Sequence, residues 1–184
     1  HNTIPQLQKM FPGRPIIGAE TTSALATRGT YNMPSDQLRR WPRKWDEVLT
    51  EGNPDFTCSA YDNTSAPWGS THEETWKLVK KHDFFSGMFI WTGWDYLGEP
   101  TPFPWPAVSS YFGIIDLAGF PKDPYYMYQS EWTNQPVLHL FPHWNWKQGE
   151  KIDVVAYFNA DEVELFLNGR SQGTKRKEGD RINA

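Results

Sequence analysis

This sequence of 184 residues lacks several features that mark particular classes of protein. It has one cysteine, Cys58, which excludes an internal disulfide framework. No apolar run is long enough for a membrane span, and the first residues show no apolar segment of a signal peptide. The net charge of −4 gives no electrostatic basis for binding nucleic acid. There is no glycine-rich phosphate loop. His139 and His143 are four residues apart, but Pro142 and the strand pattern between them break helical spacing, so we predict neither a cofactor nor a metal site.

Aromatic residues, in contrast, are abundant. They make up 16% of the chain and include ten tryptophans. Rings in this number are typical of a stiff core or of a surface that stacks on sugars or bases. The acidic charge balance disfavours bases, which leaves carbohydrate as the more attractive partner.

Residues 1–135 alternate between strand-like and helix-like segments. An apolar strand is expected over Pro15–Ala19 and another in "SGMFIW", which should be covered on both faces. Helices are expected in "NTIPQLQKMF", around Ser35–Thr50, in "STHEETWKLVKKH" with its capping-box residues, and in "KDPYYMYQSEW" with Asp123 as N-cap. This order predicts an α/β fold, either a βα barrel or a doubly wound sheet.

The pattern changes after about residue 135. Residues 136–184 contain short strands separated by turn residues, and Asn168-Gly169 is a strong hairpin signal. We therefore expect a domain boundary here, with the start of an antiparallel, immunoglobulin-like β-sandwich after it. Each part is about half the usual size of its fold, so the chain is expected to be a fragment.

Two apolar strands are followed by acidic residues. Glu20 follows the first, and Trp91, Asp95 and Glu99 lie at the end of the second and in the loop after it. Strand ends of a βα barrel converge on one face, and carboxylates beside tryptophan are what a glycosidase requires. Taken singly, each of these residues is better explained by packing or capping than by catalysis.

Three blocks together resemble glycoside hydrolase family 2, and most closely its β-galactosidases. They are "RPIIGAETTSALATRGTY", the run from "GMFIWTGWDYLGEPTPFPW" to "KDPYYMYQSEW", and "VLHLFPHWNW" with "EVELFLNGRSQG". The resemblance implies the C-terminal part of a catalytic (β/α)8 barrel and the start of a β-sandwich. It makes Glu20 the nucleophile of a retaining mechanism, Trp91 a wall of the sugar subsite, and Asp95 and Glu99 sugar-contacting groups.

The family's general acid/base is a Glu that follows an Asn, and no such pair occurs in this sequence. We therefore expect that residue in another part of the polypeptide, and expect this fragment alone to be inactive. The resemblance also implies a β-galactoside substrate and a periplasmic or secreted location.

One departure bears on the substrate. Family members that act on glucuronides carry Asn-x-Lys where this chain has Ser110-Tyr111-Phe112, so no cation is provided there for a sugar carboxylate. Galactosides are therefore expected. The alternatives are β-mannosidase or β-glucuronidase specificity, or a carbohydrate-binding protein without catalysis.

If the resemblance holds, Glu20 and Trp91 should lie on neighbouring parallel strands and face one cavity, with Asp95 near its rim.

Overall fold

A computed structural model describes residues 3–40 and 53–184 of the chain. These residues form three helices, α1 (Ile4–Met10), α2 (His72–Lys80) and α3 (Asp123–Trp132). They also form eight strands, β1 (Ile16–Thr22), β2 (Arg39–Arg40), β3 (Thr64–Ser65), β4 (Phe85–Trp91), β5 (Leu138–Phe141), β6 (Val155–Phe158), β7 (Val163–Leu167) and β8 (Arg170–Lys175). The described chain is thus of the α/β class, as predicted.

Strands β1 and β4 form a parallel pair, which confirms the expected neighbourhood of the two apolar strands. Helix α2 packs against both strands. The described residues form four two-stranded sheets and no closed barrel. Burial of β4 on both faces was expected and is wrong for this structure, because Phe89 is 67% exposed and Ile17 on β1 is 56% exposed. Among the described residues, nothing covers that face of the pair.

Helix α2 begins as its sequence predicts. The Thr71 hydroxyl accepts a hydrogen bond from the Glu74 amide, and the Glu74 carboxylate accepts one from the Thr71 amide. This reciprocal capping box satisfies two backbone donors that the helix cannot use internally. Lys77 and Lys80 in the last turn complement the negative end of the helix dipole.

Helix α3 begins one residue earlier than predicted. Lys122 is its N-cap, and Asp123 is the first helical residue. The Asp123 carboxylate does not cap the helix, because His139 Nε2 lies 2.7 Å from one oxygen and the Tyr31 hydroxyl donates to the other at 2.7 Å. These contacts tie α3 to the chain before β2 and to β5.

The region after residue 135 is antiparallel, as predicted. Strand β5 pairs with β6, and β7 pairs with β8. Asn168 and Gly169, between β7 and β8, have φ angles of 50° and 76°. A two-residue turn with both central φ angles positive matches the twist of the flanking strands, which explains the Asn-Gly pair.

The helix predicted around Ser35–Thr50 is wrong in its described part. Residues 35–40 form a turn followed by β2, and residues 41–50 lie outside the described residues. The Ser35 amide donates to the Asp153 carboxylate at 2.8 Å, and the Arg39 amide donates to the Asn63 carbonyl at 2.7 Å. These long-range hydrogen bonds outweigh the local helical propensity.

One core of buried side chains contains residues from the α/β part of the chain and from the antiparallel region after residue 135. Its buried members are Tyr61, Ile114, Met127, Tyr128, Phe141, Tyr157 and Ile182. Because these residues come from both sides of residue 135, the two parts of the chain share one core. None of the helices in the described ranges is long and apolar enough to cross a membrane.

Candidate active site

Glu20 lies in a β-bulge of β1. Gly18 pairs with Met88 and Thr21 pairs with Ile90, so β1 has two residues, Ala19 and Glu20, where β4 has one. Strand β1 also runs three residues beyond its predicted end at Ala19, which places Glu20 inside the strand. An extra residue bends its strand and redirects the side chains beside it, and such bulges are frequent near active sites.

The backbone turns sharply after the bulge. Thr22 and Ser23 have φ angles of 77° and 61°, a region that β-branched residues such as threonine rarely adopt. The Ser70 amide donates to the Thr22 carbonyl at 2.7 Å, which holds this conformation. A Cβ atom on Gly69 would lie 2.3 Å from the same carbonyl oxygen, so only glycine fits there.

Two threonine side chains connect β1 to the main chain of β4. The Thr21 hydroxyl donates to the Phe89 carbonyl at 3.0 Å, and the Thr22 hydroxyl lies 3.1 Å from the Trp91 carbonyl. These bonds add to the parallel ladder beside the bulge. As a result, the position of Glu20 is tied to the end of β4.

Glu20 lines a cavity of about 700 Å³. The other lining residues come from β1 and the turn after it, from residues 68–70, from α2, and from single positions elsewhere, and they are Thr3, Ile4, Gly18, Thr21, Thr22, Ser23, Arg40, Trp68, Gly69, Ser70, Thr75, Leu78, Val79 and Phe85. Trp91 and Asp95 do not line this cavity. Glu20 and Trp91 therefore do not meet in this cavity, and their expected position around one common cavity stays a prediction.

The Glu20 side chain is exposed, and it makes no ion pair or side-chain hydrogen bond with the residues that the structure describes. Its charge does act on one neighbour, Tyr96, where it helps to raise the pKa of the phenol. Glu20 is therefore a free carboxylate close to the loop that follows β4.

Tyr96 contacts two of the four predicted site residues, Trp91 and Glu99. Its ring meets the Trp91 ring edge-to-face at 6.0 Å and 84°, and its hydroxyl donates to Glu99 Oε2 at 2.7 Å. Burial, followed by this hydrogen bond, raises the pKa of Tyr96 to about 12, so the phenol stays protonated and keeps donating. Tyr96 was not among the predicted site residues, although its place in the aromatic loop after β4 was the available signal.

Asp95 has a different environment. Its Oδ2 atom lies 2.7 Å from Lys122 Nζ, whose side chain is buried, and its Oδ1 atom accepts from the Gly113 amide at 2.8 Å. Burial raises the pKa of Asp95 in spite of the ammonium group, and burial lowers the pKa of Lys122. Both carboxylate oxygens already have partners, so the structure connects Asp95 to the protein core.

Other reactive side chains in the described ranges offer no second centre. Cys58 is buried, and burial raises the pKa of its thiol to about 12, which suits a packing role. Residues 3–40 and 53–184 contain no group of three or more His, Cys, Asp or Glu side chains able to hold a metal ion.

Comparison with known proteins places this geometry in a family. The chain is 59% identical over its whole length to the β-galactosidase BoGH2A of Bacteroides ovatus, of which it covers 22%. It is 39% identical, over 79% of its residues and 14% of the relative, to a protein of Formosa agariphila provisionally named a β-glucuronidase. A family model described as a domain of unknown function, DUF4982, matches residues 149–183.

A solved structure agrees with the sequence comparison. The crystal structure of a β-glycosidase from Bacteroides vulgatus superposes with a TM-score of 0.80 at 33% identity, over 98% of this chain and 25% of that one. The chain thus spans about a quarter or less of the relatives it matches. The agreement of sequence identity and fold along its whole length shows that this chain belongs to glycoside hydrolase family 2.

Proposed function

We propose that this chain is a segment of a retaining β-glycosidase that hydrolyses terminal β-D-galactosides, with Glu20 as the nucleophile. The observation that carries the proposal is the position of Glu20, a free carboxylate in a bulge of a parallel strand whose neighbour ends at Trp91. A carbohydrate-binding protein without catalysis would have no need of an unpaired acid at this point.

The proposed reaction has two steps. The Glu20 carboxylate attacks the anomeric carbon and forms a glycosyl ester, while a carboxylic acid protonates the departing glycosidic oxygen. Water then attacks the same carbon, the second carboxylate takes its proton, and Glu20 is released. That acid/base residue belongs to a part of the polypeptide outside these 184 residues, in line with the 22% coverage of the Bacteroides ovatus relative.

We further propose that residues 1–135 form the C-terminal portion of a (β/α)8 barrel and that residues 136–184 begin a β-sandwich. The parallel pair β1–β4, with α2 packed on it, supports the first assignment, and the antiparallel pairs support the second. The exposed Ile17 and Phe89 side chains are then covered by the rest of the same polypeptide.

Three further residues are assigned roles in the proposed site. Trp91 stacks on the apolar face of the sugar, and Glu99 accepts hydrogen bonds from its hydroxyl groups. Asp95 was expected to contact sugar as well. Its bonds to Lys122 and Gly113 favour a role in holding the loop after β4 in place.

The β-galactoside specificity is supported by the relative that shares 59% identity. The name of the Formosa agariphila relative makes a β-glucuronide the second candidate substrate. Residues Ser110–Phe112 disfavour it, because Phe112 is buried and the Ser110 hydroxyl accepts from the Tyr96 amide at 3.0 Å. That segment presents no cation to a sugar carboxylate.

The test uses the full-length protein and a nitrophenyl β-galactoside. We expect turnover by the wild type and a loss of about three orders of magnitude or more in kcat for Glu20→Gln, since the covalent step loses its nucleophile. Glu178→Gln, an exposed carboxylate with no side-chain partner among the described residues, is the matched control and should keep wild-type activity. Sugar binding without turnover would favour the carbohydrate-binding alternative.

A further inference from the structure

We propose that Tyr96 and Glu99 form a specificity site that accepts the hydroxyl groups of a neutral sugar and repels sugars that carry a carboxylate. This inference rests on the proposed function. It assigns to Tyr96 a role as a positioning residue, and to Glu99 the discrimination between a galactoside and a glucuronide.

The first support is the directed contact between the two side chains. The Tyr96 hydroxyl donates to Glu99 Oε2 at 2.7 Å, and its ring rests edge-to-face on Trp91. Glu99 Oε1 has no partner among the described residues and is exposed to solvent. An ionised carboxylate is only an acceptor, so this oxygen suits a sugar hydroxyl and cannot donate to a sugar carboxylate.

The second support is the fixed backbone around Tyr96. Its amide donates to the Ser110 hydroxyl at 3.0 Å, and the Ser110 amide donates back to the Tyr96 carbonyl at 2.8 Å. The Gly98 amide also donates to the Val108 carbonyl at 2.9 Å, just before Glu99. The pair is therefore held in place without substrate, which lowers the cost of binding.

The third support is the charge distribution. Glu99 Oε2 lies 2.7 Å from the Tyr96 hydroxyl, and the charge of Glu20 also acts on this phenol and helps to raise its pKa. Three cations of the described part of the chain already have carboxylate partners: Lys122 is paired with Asp95, Arg28 with Asp116, and Arg40, which lines the cavity of Glu20, with Glu74. A uronate in this part of the site would meet like charges that the described residues do not balance.

The experiment compares kcat/KM for nitrophenyl β-galactoside and β-glucuronide in the full-length protein. The variants are Glu99→Gln, which removes the charge and keeps the size, and Tyr96→Phe, which removes the hydroxyl and keeps the ring. Glu178→Gln removes an equal charge elsewhere and controls for net charge. The thermal midpoint of each variant separates loss of folding from loss of recognition.

We expect Glu99→Gln to raise the ratio of glucuronide to galactoside kcat/KM by about tenfold, because like-charge repulsion is removed. Raised salt should increase this ratio in the wild type and change it much less in the variant. Tyr96→Phe should lower galactoside kcat/KM about tenfold and leave the ratio nearly unchanged, since Glu99 keeps its charge but loses its position.

The proposal is overturned if Glu99→Gln leaves the ratio at the wild-type value, or if glucuronide turnover by this variant stays below detection. A ratio that rises equally in Glu178→Gln would assign the effect to net charge and would also overturn it. Failure of the proposed function looks different, because the wild type would then hydrolyse neither glycoside, or Glu20→Gln would remain active.

Discussion

Thr22 and Trp91 are register partners in the parallel pair, and the Thr22 hydroxyl lies 3.1 Å from the Trp91 carbonyl. Thr22 follows Glu20 by two residues and has a φ angle of 77°. The proposed nucleophile and the proposed sugar-stacking ring are thus linked through a strained residue between two strands. Any change that relaxes this strain should move Glu20 relative to Trp91.

Gly69→Ala provides the first prediction. The new Cβ would lie 2.3 Å from the Thr22 carbonyl oxygen and 2.7 Å from Ser23 Cβ, so the turn after β1 has to shift. We expect a loss of about 1–3 kcal/mol in unfolding free energy, the usual cost of overpacking, measured by chemical denaturation of the full-length protein. Galactoside kcat should fall as well, since Glu20 shifts with the turn.

Gly93→Ala is the matched control, because no heavy atom beyond its two chain neighbours lies within 4 Å of the added Cβ and its φ angle is outside the left-handed region. Its unfolding free energy should stay close to the wild-type value. Equal stability of the two variants would show that the contact between residue 69 and Thr22 does not constrain the strand end.

The buried ion pair between Lys122 and Asp95 provides the second prediction. Lys122→Met leaves the Asp95 carboxylate without its cation in a poorly hydrated place, at an expected cost of about 3–5 kcal/mol. Adding Asp95→Asn should recover part of that loss, because no unpaired charge then remains. A double-mutant cycle of denaturation free energies measures this coupling, and strictly additive single effects would contradict it.

Local signals account for most of the elements that the sequence predicted correctly. The capping box of α2 and the Asn168-Gly169 turn lie within a few residues, so their chemistry is readable without the fold. Long-range partners account for the errors. Asp123 is displaced from the N-cap by His139 and Tyr31, and residues 35–40 are drawn into β2 by bonds to distant segments.

The candidate site shows the same division. The two apolar strands before acidic loops are visible in the sequence, and the family resemblance made them neighbours in a barrel, so Glu20 and Trp91 could be placed on adjacent strands. The bulge at Glu20 could not be predicted, since it depends on the register with β4. The pairing of Asp95 with Lys122 could not be predicted either. Asp95 lies in the loop after β4 and Lys122 at the start of α3, so the two meet only in the folded chain.

His72 provides the third prediction. Burial, together with the charge of Lys122, lowers the pKa of this histidine from 6.5 to about 3. The unfolded chain therefore binds a proton between about pH 6.5 and pH 3 that the folded chain does not bind. By linkage, this contribution to stability is complete above pH 6.5 and is lost as the pH falls towards 3.

Hydrogen exchange of the α2 amides in the full-length protein measures this effect as a free energy of opening. The wild type should lose stability relative to His72→Gln as the pH is lowered from 6.5 to 4. Asp62, whose pKa is raised to about 8 by burial, is present in both proteins, so its opposite contribution cancels in the comparison. If the difference in stability between the wild type and His72→Gln did not change with pH, the claim that His72 is buried in its neutral form would be contradicted.

The fourth prediction concerns the 184-residue chain by itself. It should not hydrolyse nitrophenyl β-galactoside, because the proposed acid/base residue is supplied by another part of the polypeptide. Hydrolysis rates of the purified chain and of its Glu20→Gln variant should both equal the buffer rate. Turnover by the chain that persists in Glu20→Gln would contradict both the fragment assignment and the nucleophile.

The most direct test of the central claim is covalent labelling of the nucleophile. A 2-deoxy-2-fluoro-β-galactoside with a good leaving group slows the second step and traps the glycosyl ester on the full-length protein. Peptide mass spectrometry then locates the modified residue. We predict one added fluorosugar per chain, carried by Glu20 and absent from Glu20→Gln; a label on Asp95, Glu99 or any other residue would contradict the assignment.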